Sequence, residues 1–144
     1  MLGFAIALFY HEAMISRFAE KRLLQCVVAL ACLVPLSAGL SGVFQGSAFL
    51  GGGTINLDSH FRYLSGLLLG IGIGFLSAVP DIERQAMRIR LLTLVVVTGG
   101  LGRLLGLLLS AIPDHSMLAA LVMELLVTPL LCLWQHRLAQ RFAN

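Results

Sequence analysis

Residues 91–110 read LLTLVVVTGGLGRLLGLLLS, an apolar run that carries a single charge, Arg103. A hydrocarbon core about 30 Å thick needs about 20 apolar residues in helix, so this run has the length of one crossing. Its glycines, Gly99, Gly100, Gly102 and Gly106, would weaken a helix in water but suit close helix contacts in lipid. Three more runs approach the same length: Leu23–Val43, Phe61–Val79 and Met117–Trp134. They leave little of the chain for anything else.

Composition agrees with that reading. Hydrophobic residues make up 58% of the 144 and charged residues 12%, against roughly 25% charged in soluble domains. One small core cannot hide so much apolar surface, and lipid must take the remainder. The expected fold is all-α, an integral membrane bundle of four transmembrane helices. Residues 1–22 form a cytoplasmic or interfacial leader and residues 23–144 the transmembrane domain. The apolar segment Met1–Tyr10 is too short to span, and Met14 offers an alternative start of translation.

The connectors carry turn chemistry: Gly51-Gly52-Gly53 with Asn56 to Ser59, then Pro80-Asp81, then Pro113-Asp114. Leu76-Ser77-Ala78-Val79-Pro80-Asp81 is nearly repeated from Leu109 to Asp114, and reads as shared punctuation with an aspartate available to cap the next helix. Lys and Arg set the orientation. Arg17, Lys21 and Arg22, then Arg84, Arg88 and Arg90, then Arg137 and Arg141 flank the apolar runs, whereas Phe44–His60 and Ala111–Ser116 contain no Lys or Arg. Both termini and the second connector therefore belong in the cytoplasm. Trp134 reads as an interfacial anchor.

Familiar catalytic and binding motifs fail. His11-Glu12 begins a zinc signature, but Ile15 stands where the second histidine belongs. Gly39-Leu40-Ser41-Gly42 falls one residue short of a nucleophile elbow. The glycine-rich runs fit neither a dinucleotide fingerprint nor a P-loop. Cys26, Cys32 and Cys132 lie in apolar stretches without a C-x-x-C, and read as free, buried thiols. No metal and no cofactor is implied. A net charge of +3 resides at segment ends, without the basic stripe that nucleic-acid binding needs.

Glycine faces and intramembrane charges remain. Gly66, Gly70 and Gly74 recur every fourth residue below Arg62, and Gly99, Gly102 and Gly106 surround Arg103; both sets read as helix-packing surfaces. Glu124 is the acid within the fourth run. A charge at that depth costs at least ~2.5–3.5 kcal/mol when isolated, so pairing of Arg103 with Glu124 is expected. Arg62 is near enough to the outer surface to reach the same neighbourhood. Two readings stand: an ion pair that fixes helix register, or a ligand site of Arg62, Arg103 and Glu124, completed by Asp58 and His60. Asp58 is also placed to cap the second helix, and His60 reads more readily as a surface residue than as a ligand. Pro129 removes a backbone donor from the carbonyl of Leu125, and Pro35 does so for Ala31, so each can kink its helix.

His60-Phe61-Arg62-Tyr63-Leu64-Ser65-Gly66, Gly99-Gly100-Leu101-Gly102-Arg103-Leu104, and Glu124 followed by Pro129 resemble an uncharacterised family of small bacterial four-helix membrane proteins, a domain of unknown function. The resemblance runs roughly from Met14 onward. It implies a multi-pass inner-membrane protein and carries no activity with it. The leading expectation is a non-enzymatic membrane module with a charged outer-leaflet pocket for a lipid or quinone-like molecule. The alternatives are a small oligomeric transporter or channel subunit and an enzyme acting on a lipid. Expected partners are membrane lipids and a second copy or another membrane subunit, and not nucleic acid.

Overall fold

The computed structural model describes residues 2–109 and 115–143, and the side chains of these except at 2–13, 49 and 50. Among the described residues every element is helical: α1 (Leu2–Gln45), α2 (Ile55–Ala78), α3 (Ala86–Leu109), α4 (His115–Val122) and α5 (Thr128–Ala143). A π-helical turn, Met123–Val127, joins α4 to α5. Four stretches are long and apolar enough to cross a membrane: Met14–Ala48, Ile55–Ala78, Ala86–Leu109 and His115–Ala143. Only 22%, 17%, 11% and 6% of their most apolar windows are buried within the chain. Leu30, Leu94 and Leu133 are each more than half exposed. In water such a continuous apolar surface is an aggregation liability, and in a bilayer it is the solvent contact.

The helices outrun the apolar runs at their ends. α1 passes through Ser16–Arg22 without a break, so Arg22–Leu23 is not a joint in the backbone. Pro35 also lies inside this helix, where Ser37 Oγ bonds the carbonyl of Val34 at 3.2 Å. α2 begins at Ile55, ahead of the expected start, because Thr54 Oγ1 accepts from the Leu57 amide at 3.3 Å and caps the helix. Asp58 therefore stands inside the first turn and does not cap it. Asp81 does not cap with its side chain either; its backbone carbonyl accepts from the Arg84 amide in a short 3₁₀ turn, Ile82–Arg84. Ser110 to Asp114, with the second copy of the repeated motif, lie outside the described residues.

The chain divides into two compact units, Val28–Val79 and Met1–Val27 with Pro80–Asn144. In the first, α1 meets α2 at glycines. A Cβ on Gly39 would lie 2.8 Å from the Leu69 amide nitrogen, one on Gly72 would meet the Leu36 side chain at 3.1 Å, and Gly42 sits directly on Ser65. In the second, Leu24, Ile82 and Leu138 are completely buried, and Gln135 Nε2 donates to the Ile82 carbonyl at 2.7 Å. Gly100 of α3 lies against the π turn: a Cβ there would come within 2.9 Å of Glu124 Cβ and 2.8 Å of Leu125 Cδ2.

These are not the glycines that sequence spacing selects. Gly66, Gly70, Gly99, Gly102 and Gly106 have open space where a Cβ would stand. Their fourfold periodicity does define a face, but periodicity alone does not say which face meets a neighbour within the chain. The cysteines are unbridged, and Cys26 is exposed where burial was expected, because its face of α1 turns outward.

Bulk at a true contact separates two backbones, whereas bulk on an open face fills empty space. Gly100→Leu and Gly39→Leu should each lower the melting temperature in detergent, by a cost of about 1–3 kcal/mol or more. Gly70→Leu and Gly102→Leu should leave the monomer's melting temperature nearly unchanged in the same assay.

Candidate functional site

The fourth apolar span changes gait where its acid lies. Pro129 has no amide hydrogen for the Leu125 carbonyl, and in a regular α-helix its ring would collide with that carbonyl. The turn before it is wider: the Thr128 amide and Thr128 Oγ1 both donate to the carbonyl of Met123, five residues back, the hydroxyl at 2.8 Å. The sequence shows the proline, and the structure places a π turn immediately before it. Such turns are over-represented at functional positions.

Glu124 stands in this turn, opposite Gly100. With no side chain on Gly100, α3 lies close enough for Arg103, one turn further along, to lay its guanidinium across the carboxylate. Arg103 Nε donates to Oε2 and Nη2 to Oε1, both at 3.0 Å. The fork is bidentate, the strongest geometry open to this pair. The Glu124 side chain is 19% exposed and that of Arg103 41%, so the carboxylate is enclosed while part of the guanidinium faces outward. Nη1 of Arg103 makes no hydrogen bond among the described residues.

Arg62 belongs to the other unit and has its own carboxylate. Its Nε donates to Asp58 Oδ2 at 2.7 Å, one helical turn back, and its Nη1 to the carbonyls of Val43 at 2.6 Å and Phe44 at 3.2 Å. Asp58 Oδ1 meanwhile accepts from the Ser47 amide at 2.6 Å and hydroxyl at 3.0 Å. Asp58 and Arg62 thus clasp the 3₁₀ turn Gly46–Leu50, which leaves α1 through Gly46 at φ +58° and ends at Gly51 at φ +89°. Gly46 is required twice over, since a Cβ would also run into Asp58 and Arg62. His60 is exposed and makes no bond among the described residues. Asp58 thus pairs with Arg62 in one unit and Glu124 with Arg103 in the other, so each arginine is matched by one acid.

A third polar assembly, not anticipated from the sequence, ties α1 to the connector and to α5. Lys21 Nζ donates to Glu83 Oε1 at 2.9 Å, and Gln25 Nε2 to the Pro80 carbonyl at 2.9 Å. Glu20 accepts from Trp134 Nε1 at 3.1 Å and pairs with Arg141, while Arg17 donates to the Arg141 carbonyl. Arg90 Nη2 meets His136 Nδ1 at 2.8 Å. Trp134 thus has an internal partner, and it stands in the middle of α5. The signal was present in the three acids Glu20, Asp81 and Glu83 among so many bases, but charge bias alone reads only the bases.

Residues 23–135 match a family described as a domain of unknown function, DUF4345. The match starts later than Met14 and stops before the C-terminal arginines. No curated protein and no solved structure matches the chain.

Two measurements test these pairs. Burial alone would raise the Glu83 carboxyl, but the Lys21 ammonium, its own backbone amide and the charges of Lys21 and Arg84 together hold it below its ordinary value of 4.5. A carboxyl that binds its proton less readily folded than unfolded adds stability above that value, and loses it as pH falls through its folded value. The melting temperature in detergent should therefore fall with acidification below about pH 4.5, and Glu83→Gln should flatten that part of the profile. For Arg103 and Glu124, each single alanine variant should destabilise the protein. The double variant should lose less than the sum, by a coupling on the order of 0.5–3 kcal/mol; additive losses would show that the two act independently.

Proposed function

The chain belongs to this family of unknown function, and from that premise we propose that it is a non-enzymatic multi-pass module of the bacterial inner membrane whose outer half offers Arg103 to a lipid or quinone-like molecule. The observation that carries the reading is the unequal burial of the pair. Glu124 is enclosed and spent on Arg103, while the guanidinium keeps outward-facing donors at a depth where hydrocarbon supplies no acceptor. A phosphate, carbonyl or quinone oxygen satisfies them. Arg62 adds less to such a site than its position suggests, because Asp58 and two backbone carbonyls already take its donors.

The proposed orientation places both termini and Pro80–Arg90 in the cytoplasm, supported by the concentration of Arg and Lys at those ends. His115, at the start of α4, then lies on the outer side, and Arg103 lies six residues before Leu109, about 9 Å along the axis at 1.5 Å per residue.

Cysteine labelling in a cysteine-free background tests the orientation. A cysteine at Ser116 should react with an impermeant maleimide in intact spheroplasts, and one at Arg84 only after permeabilisation; the reverse pattern would sink the topology and the outer placement of the site with it. Mass spectrometry of gently extracted protein tests occupancy. Wild type should retain a lipid or quinone that Arg103→Met loses and Arg103→Lys partly keeps, whereas equal retention in all three would leave the pair a purely structural lock.

A further inference from the structure

Eight of the ten Lys and Arg residues lie in the segments 17–22, 84–90 and 137–141, with Glu20, Asp81 and Glu83 as the acids among or beside them. The acids do not neutralise these bases evenly. Glu83 is taken by Lys21, and Glu20 by Arg141 and Trp134. Arg22 is exposed and has no hydrogen bond or ion pair among the described residues. It lines an open pocket together with Phe18, Lys21, Gln25 and Pro80. Phe18, Lys21, Arg22 and Gln25 have i, i+3, i+4, i+7 spacing and share one face of α1.

We propose that this pocket binds the phosphate headgroup of an anionic phospholipid, with Arg22 as its principal charge. The proposal depends on the membrane reading above, and not on the Arg103 site. Three features point to a lipid. The pocket lies where the charged run of α1 gives way to its apolar run at Leu23, the level of the headgroups when Leu23–Val43 is in hydrocarbon. Phe18, 53% exposed, lines the pocket and supplies an apolar wall for the glycerol and acyl portions. The polar groups are graded in availability: Arg22 is uncommitted, Lys21 Nζ is shared with Glu83, and Gln25 Nε2 already donates to Pro80. A guanidinium with free N–H donors beside an ammonium held in place suits a phosphodiester. Glu83 fixes Lys21 at the pocket wall while removing one unit of net charge, so Arg22 decides the sign of the site.

The test is lipid retention by purified full-length protein, read by native mass spectrometry after exchange into mixed micelles holding equal amounts of phosphatidylglycerol and phosphatidylcholine. Wild type should hold phosphatidylglycerol in preference, and the preference should weaken as salt rises. Arg22→Ala should lower phosphatidylglycerol affinity about fivefold, the factor set by one basic residue at an anionic surface. Arg22→Glu should abolish the preference, and Arg22→Lys should restore part of it. Arg137→Ala, which removes equal charge outside the pocket, should change it little. An equal loss in the Arg137 variant would reduce the site to general surface charge and overturn the proposal, as would an unchanged preference in Arg22→Glu. Free inorganic phosphate competing at low millimolar concentration would assign the pocket to a soluble anion instead. Wild-type partitioning into the membrane fraction is scored separately. A chain that partitions into membranes without the lipid preference overturns this inference alone, and one that does not partition overturns the membrane reading first.

Discussion

Hydrocarbon offers no hydrogen-bond partner, so a helix that carries a polar atom into it must carry that atom's partner as well. The chain meets this demand by pairing across helices. Arg103 brings Glu124 to α3, and Arg62 near the head of α2 gathers Asp58 together with carbonyls at the end of α1. Each pair removes a charge problem and fixes where two segments meet. An isolated surface ion pair in water is worth little. In lipid the comparison is with an unpaired charge, and the same contact becomes a condition of insertion.

Close approach is what makes the Arg103–Glu124 pair possible, and it depends on two local departures from a regular helix. Gly100 removes the one side chain that would stand between α3 and the π turn, and Pro129 makes the turn widen. Thr128 stabilises the wider turn by bonding the Met123 carbonyl with its hydroxyl as well as its amide. Substitution at any of these positions moves Glu124 without touching it. The carboxylate's placement is therefore a property of the segment from Met123 to Pro129 as a whole, as is typical where a helix interruption coincides with a charged residue.

Much of the fold was legible in the sequence because its signals are long and repeated. Four apolar runs, separated by glycine and proline turns, translate directly into helices of spanning length. The pairing of Arg103 with Glu124 was also legible, since each is the charge that interrupts its apolar run and neither tolerates isolation there. What sequence could not supply was rotational phase. Gly66 and Gly70 recur as regularly as any packing face, yet Gly39, Gly42, Gly72 and Gly100 make the contacts, because a helix with apolar residues on all sides does not announce which side faces a neighbour. Asp58 looked like a cap because the apolar run starts later than the helix does. Thr54 takes that role four residues earlier, and Asp58 is left to hold Ser47 and Arg62.

The carboxylates show a division of labour that net charge conceals. Glu20, Asp58, Glu83 and Glu124 are each engaged by a basic side chain, and three of these pairs join residues more than twenty positions apart in sequence. They act as ties between helices. The bases outnumber them, and the excess collects in the segments 17–22, 84–90 and 137–141. If bases served topology alone, acids beside them would only weaken the signal, as Glu20 and Glu83 would. Their presence is explained by the ties they make: Lys21 is held against the connector and Arg141 against α1, so that the C-terminal segment packs onto α1. The arginines left over, Arg22 among them, are then presented from a fixed scaffold. That distinction separates a basic flank that merely orients a chain from a surface able to hold a particular anion.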